Sequence, residues 1–243
     1  NARALSVHQG KGITDIDAKA SAVMEALERA CAERPRLPVR SASADELLKA
    51  GERCDPLDDL IAIGHQPMDR ACRLNWVAGR DLTDGGVVWV PFDAVLLDFT
   101  RPSHFWQSSD GAASGNTETE AIFHGLLERI ERDADTLWSL GRMEQQAETC
   151  ISASDFGDTV VSALTDRVER AGFRLQLFDM TSDLGVPTFS VLMSPAEALE
   201  RRSLRYIDVT MGRGTHPVAY RAALRAITEA VQSRLTLITG TRD

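Results

Sequence analysis

The stretch RYIDVTMGRGTHPVAYRAALRAITEAVQSRL, Arg205–Leu235, decides how the rest of the chain is read. Arg205–Met211 alternates like a strand, Gly212-Arg213-Gly214 reads as a glycine turn, and Pro217 to Leu235 reads as a helix. Leu224, Ile227 and Val231 recur at helical spacing and predict the core side of that helix. On the same helix an alanine, Ala222, stands seven residues before Glu229, and Gln232 follows three residues later. Positions i, i+7 and i+10 share one stripe of an α-helix. Working outward, the pattern recurs twice. Near the start, Gly10-Lys11-Gly12 is followed by Ala18, Ser21, Glu25, Glu28 and Arg29. In the middle, Gly115-Asn116-Thr117 is followed by Glu120, Ala121, Glu128, Glu131 and Arg132. Acids lined up in this way repel one another unless a cation sits among them, and magnesium carrying a polyphosphate suits that role.

The remaining segments fit a mixed α/β (α+β) class in which sheets pack against helices, with three related strand–glycine turn–helix units in one compact domain over residues 1–243. Leu5–His8 reads as a short strand. Asp17–Glu33 reads as a helix with Ala20, Val23, Met24, Leu27 and Cys31 on its apolar stripe. A helix from Glu118 to about Leu140 is predicted to bury Ile122, Phe123, Leu126, Leu127 and Ile130. Asp45–Lys49 predicts a small helix, and Thr159–Ala171 a helix closed by Gly172. Strands are predicted at Leu74–Ala78, Val87–Val90, Val95–Asp98, Phe173–Met180 and Thr188–Met193. Asp84-Gly85-Gly86 signals a hairpin between the first two of these strands.

Composition narrows the function. The 243 residues carry a net charge of −9 with no basic run, which argues against a nucleic-acid surface. No apolar run is long enough to span a bilayer, so no membrane role is expected. Cys31, Cys54, Cys72 and Cys150 lack C-x-x-C spacing, and no zinc site is expected. They read as structural thiols, mostly buried, in a reduced, cytoplasmic chain. Neither the dinucleotide fingerprint nor a P-loop is present. Glycine segments opening helices nevertheless present backbone N–H groups that suit phosphate oxygens. His216, just before the third helix, reads as a capping or turn residue, and no catalytic side chain is singled out.

At these motifs the chain resembles the YcaO family. GKGITDIDAKASAVMEALER resembles the first family motif, through Ser21, Glu25, Glu28 and Arg29. SSDGAASGNTETEAIFHGLLERIERDA resembles the second, through Asn116, Glu120, Glu128, Glu131 and Arg132, with Asp110 where the family usually has asparagine. GRGTHPVAYRAALRAITEAVQSRLTLITGTRD resembles the third, through Glu229, Gln232 and Arg234. The resemblance implies ATP and Mg2+ as cofactors. Lys11, Ser21, Glu25, Asn116, Arg132, Gln232 and Arg234 are then expected on the nucleotide, and Glu28, Glu120, Glu128, Glu131 and Glu229 on the metal. It implies activation of a peptide backbone amide by O-phosphorylation, leading to an azoline or a thioamide in a ribosomally made peptide or protein. The alternative is a non-catalytic nucleotide-binding accessory to another modification enzyme, such as a methylthiotransferase. A peptide or protein substrate, a TfuA-type or peptide-recognition partner and a homodimer are the implied partners. Family members extend further than this sequence, so the chain is expected to be incomplete at one or both ends.

Overall fold

The computed structural model describes residues 3–4, 7–200 and 205–240. In chain order the elements are α1 (Asp15–Glu33), β1 (Arg40–Ser43), α2 (Ala44–Lys49), β2 (Arg73–Arg80), β3 (Val87–Pro91), α3 (Phe92–Val95) and α4 (Glu118–Ser139). They continue with α5 (Met143–Glu148), β4 (Cys150–Ile151), α6 (Thr159–Arg170), β5 (Phe173–Asp179), β6 (Thr188–Pro195), β7 (Thr210–Thr215) and α7 (Ala219–Thr239). These form two compact units: Asn1–Ser6 with Ala26–Ala112, and Val7–Glu25 with Ala113–Asp243. Of the strand expected at Leu5–His8, Leu5 and Ser6 lie outside the described residues, and residues 7–10 are irregular.

The first unit is built on an antiparallel sheet in the order β1-β2-β3. Trp76 is fully buried against Ala42, Ala44 and Leu47. Its indole N–H donates to the Ala42 carbonyl at 2.9 Å, so the ring's one polar atom is satisfied. The hairpin turn forms where Asp84-Gly85-Gly86 predicts it. Gly85 takes φ +76°, and the Arg53 guanidinium joins Asp81 and Asp84 beneath the turn. The strand expected at Val95–Asp98 is instead the last residue of α3 followed by irregular chain. Pro91, which has no N–H for a ladder, stands immediately before that helical turn.

The second unit is an antiparallel sheet in the order β4-β5-β6-β7, with α6 and α7 packed on it. Its core joins Val161 and Val168 of α6, Leu177 of β5, Val191 and Met193 of β6, and Ala222, Ala223, Ala226, Ile227 and Ala230 of α7. Burying a side chain such as Ile227 contributes about 1.5–3 kcal/mol. The expected glycine turn at Gly212-Arg213-Gly214 is corrected here, because these residues lie inside β7. In a strand, residues i and i+2 face the same way, so G-x-G leaves one face bare. That bare face lies directly on the α7 backbone. A Cβ on Gly214 would stand 2.1 Å from the Ala222 carbonyl oxygen, and one on Gly212 would stand 2.1 Å from the Ala230 nitrogen. Residues Gly10 and Gly12 meet α1 similarly, and Gly115 meets the start of α4. The register differs from a glycine-by-glycine match. Gly10 and Gly214 each stand eight residues before the alanine they touch, Ala18 and Ala222, whereas Gly12 and Gly115 stand six before Ala18 and Ala121.

This packing inverts the expected face of α1 and shifts that of α4, where Leu127 is buried as expected. On α1, Ala20, Val23, Leu27 and Cys31 are exposed, Val23 at 59%, while Ala18, Ser21, Ala22 and Glu25 are half-buried. On α4, Phe123 and Leu126 are exposed, whereas Leu127, Ala134 and Glu131 are buried. Close approach of a glycine segment requires small side chains opposite it, and that requirement, not hydrophobicity, chose the inward face of α1. The four cysteines are free, with Cys31, Cys72 and Cys150 exposed and only Cys54 partly covered, so the buried-thiol expectation fails. Among the described residues no helix is long and apolar enough to cross a membrane.

Candidate active site

The site is assembled in the second unit from the segment before α1, the first part of α1, α4, β7 and α7. Backbone closeness sets its first contacts. The Gln9 N–H donates to Glu25 Oε2 at 3.0 Å, and the Arg213 N–H donates to Glu229 Oε1 at 3.3 Å. Each acid thus accepts from a main-chain N–H sixteen residues earlier, the same spacing in two of the three copies. The middle copy makes a tighter version at the start of α4. There Glu120 Oε2 accepts from the Asn116 backbone N–H at 2.8 Å and from its amide Nδ2 at 3.0 Å, and the Thr117 hydroxyl caps the Glu120 N–H. The first and third copies are also tied together. Gln232 Nε2 donates to the Gln9 carbonyl at 2.8 Å, the Thr236 hydroxyl meets the Gln9 side-chain oxygen, and the Lys11 ammonium donates to Glu229 Oε2. The Lys11 backbone N–H donates to the Ser21 hydroxyl oxygen at 3.2 Å.

The electrostatics centre on Glu131 and Glu229. Glu131 is 5% exposed and accepts no hydrogen bond from the described residues. Burial pushes its carboxyl above the usual range, repulsion from Glu229 adds to the rise, and Lys11, Arg225 and Arg132 only partly oppose it. Burial pushes Glu229 up as well, but the charge and hydrogen bond of Lys11, the Arg213 amide and Arg132 outweigh it and hold this carboxyl below the usual range. Glu120 is also held low, first by the Asn116 backbone N–H and then by the Asn116 side chain. Density of like charge therefore raises one glutamate, not the whole set. His216 is pushed below the ordinary histidine value by burial and by Arg221 and Arg225. Its Nδ1 accepts the Val218 N–H at 2.9 Å, as a turn histidine does. His124 Nδ1 lies 3.1 Å from the Ser114 carbonyl.

Of the expected site residues, Lys11, Ser21, Glu131 and Glu229 form one network of bonds and charges, while Glu25 and Gln232 meet on Gln9, two residues before Lys11. Asn116 and Glu120 lock the entry to α4. Glu128 pairs with Arg132 one turn along the helix at 3.4 Å. Arg234 sits elsewhere, its guanidinium 4.9 Å from the Phe173 ring centre and Nη1 on the Ile207 carbonyl. Glu28 and Arg29 follow Glu25 on α1, half-buried, in the first unit. Sequence reasoning missed Arg225, whose charge reaches both Glu131 and His216 and whose buried Nε has no hydrogen-bond partner among the described residues. Its position four residues before Glu229, on the same helix face, was the available signal. It also missed the Arg213–Asp135 pair at 2.6 Å, which joins β7 to α4.

These residues fit a magnesium–nucleotide ligand. Among the described residues no three acids or histidines gather into a self-sufficient metal site. Magnesium does not need one, because it takes one or two carboxylates and fills its octahedron with phosphate oxygens and water. A buried, unbonded carboxylate beside a second one calls for a cation. Lys11, Arg132 and Arg225 around that pair suit the phosphates the cation would bring.

Fold and site together define a mixed α/β protein in which α4, α7 and the segment before α1 bring two carboxylates and a lysine together. The profile of the family described as YcaO cyclodehydratase, ATP- and Mg2+-binding, matches residues 9–243, and the chain belongs to that family. A protein of Rhizobium leguminosarum bv. trifolii, described by its place in the tfuA 3′ region, is 43% identical over 250 residues, covering 100% of this chain. The chain spans 58% of that relative's length. Among solved structures, a heterocyclase in complex with substrate and cofactor aligns with a TM-score of 0.76 at 24% identity, over 96% of this chain and 33% of its own. The YcaO protein from Methanopyrus kandleri bound with AMPPCP and Mg2+ aligns at 0.66 and 24% identity, over 96% of this chain and 56% of its own. At these identities the likeness is one of fold. The expected family, fold class and cofactors, ATP and Mg2+, are those the family carries.

Proposed function

We propose that the full-length protein is an ATP- and Mg2+-dependent enzyme that activates a backbone amide of a peptide or protein. The observation that carries this reading is Glu131, buried and with no hydrogen bond among the described residues, beside Glu229 where α4 and α7 meet the Lys11 segment. ATP supplies the phosphoryl group that turns a poor leaving group, the amide oxygen, into a good one. Glu131 and Glu229 would hold the cation, and Glu128 stands one turn before Glu131 on the same helix. Lys11, Arg132 and Arg225 would bind the phosphates, stabilising charge that spreads over their oxygens. The Gln9, Gln232 and Thr236 bonds keep α7 and the Lys11 segment from parting when the anion enters. The tfuA-region relative favours the thioamide outcome and a TfuA-type partner over azoline formation.

The test is ATP hydrolysis by the full-length protein with candidate peptides, with and without sulfide and a TfuA-type neighbour. Peptide-stimulated turnover that falls at least about tenfold in Glu131→Gln, roughly 1.4 kcal/mol of barrier, supports the reading. Nucleotide binding without turnover on any combination makes the protein an accessory to another modification enzyme.

A further inference from the structure

Away from the acid pair, the second unit holds a cavity of about 460 Å³ where the end of α4 meets the β5–β6 connection. Its lining includes Ala134, Leu137 and Trp138 of α4, together with Met180, Asp179 and Asp183. We infer that this cavity is a binding site for a side-chain cation, a guanidinium or an ammonium, carried by the polypeptide substrate.

Four observations converge on a cation. No lysine, arginine or histidine lines the cavity. Asp179 and Asp183 have no ion-pair partner among the described residues, and Asp179 accepts only the Thr181 N–H at 2.9 Å. The C-terminal turn of α4 adds the negative end of a helix dipole, and that turn contains no basic residue to offset it. Trp138 supplies an aromatic surface fixed in place, its indole N–H on the Thr149 hydroxyl at 3.1 Å and its ring 5.6 Å from that of Phe178. An aromatic ring with carboxylates beside it and an apolar floor is how proteins hold organic cations.

The cavity's place on α4 gives it a role. Glu131, Ala134 and Trp138 stand at i, i+3 and i+7, on one stripe of the helix. Seven residues of helix rise about 10 Å. An extended peptide covers that length in about three residues. Resting on the reading of Glu131 as part of the active site, the substrate is a peptide with arginine or lysine about three residues from the amide to be modified.

The experiment follows the Trp138 indole N–H by NMR in the full-length protein, with Trp138→Phe assigning the signal. The probes are N-acetyl-arginine methylamide and its neutral isostere, N-acetyl-citrulline methylamide. The arginine probe should shift the signal while the citrulline probe does not. Asp183→Asn, an exposed loop change, should weaken arginine binding at least fivefold and leave Mg-ATP binding unchanged. Equal shifts from both probes, no shift from either, or wild-type arginine affinity in Asp183→Asn overturns the inference. In a turnover assay, replacing the basic residue of an active peptide by citrulline should raise KM with little change in kcat. Arginine-selective binding with no turnover on any peptide leaves the cation site standing and overturns only the amide-activation reading.

Discussion

Replacing Glu131 by Gln should make the nucleotide-free protein more stable, not less. The carboxyl is 5% exposed, accepts no hydrogen bond from the described residues and faces the charge of Glu229. A buried polar group left without partners costs about 1–3 kcal/mol, and more when charged. Glutamine keeps the shape and a share of the polar cost but removes the charge, so the gain at neutral pH should be about 1–2 kcal/mol. For a chain of 243 residues that is a rise in Tm of about 2–8 °C. The sign with pH follows from the raised carboxyl. A group that holds its proton more tightly when folded favours the fold in acid, and that advantage disappears as pH rises through the raised value. The variant's gain should therefore be full at neutral pH and vanish as pH falls to where Glu131 is protonated. Mg-ATP should reverse the order: at a hundred times its Kd it stabilises the wild type by about 2.7 kcal/mol, and the variant by much less. The assay is thermal unfolding of full-length protein across pH, with and without Mg-ATP. A variant destabilised equally at all pH values, and stabilised by Mg-ATP as much as the wild type, would refute the argument and make Glu131 a packing residue.

Other outcomes follow from the same contacts. Gly214→Ala should lower stability by more than about 3 kcal/mol, read by denaturant titration, because its Cβ would sit 2.1 Å from the Ala222 carbonyl and 2.6 Å from the Ala226 nitrogen. Gly157→Ala, at φ +58° with open space around it, should cost only about 1 kcal/mol in the same titration. Glu28→Gln should reduce ATP turnover at least about tenfold while Arg29→Gln changes it little; equal effects would show that the motif acts as an ion pair. His216 is held below 6.5, so folding stability should fall as pH drops from that value toward its depressed one, and His216→Asn should remove that part of the pH profile.

Helix positions were legible because alternation and heptad-like spacing are local signals. The regions Asp15–Glu33, Glu118–Ser139 and Ala219–Thr239 fall within a few residues of their readings. Orientation was less legible. Val23 and Leu27 promised a buried stripe on α1, yet the glycines at 10 and 12 demanded the alanine-and-serine side. The short elements β1, β4 and α5 carry too few residues for a period to register. In the site, Glu131, Glu229 and Lys11 were visible as motif acids and a glycine-flanked lysine, and they do meet. Arg225 and Asp135 are not among the residues that carry the three motifs, and what makes them matter is contact across β7, α4 and α7.

The interleaving of Gly212 and Gly214 with Ala222, Ala226 and Ala230 makes the spacing between strand and helix a fixed gauge. Side chains normally cushion such an interface, so a lineage can swap them and let the layers drift. Here main chain rests on main chain, and there is nothing to trade. One residue inserted between Gly214 and Ala222 would turn α7 by about 100°. Glu229 would leave the Arg213 N–H, and an alanine ridge would be replaced by bulkier neighbours. Sequence change in this family should therefore concentrate in side chains facing away from the seam, while the count of residues across it stays constant. A survey of insertions between these positions among functional relatives would show how strictly that count is kept.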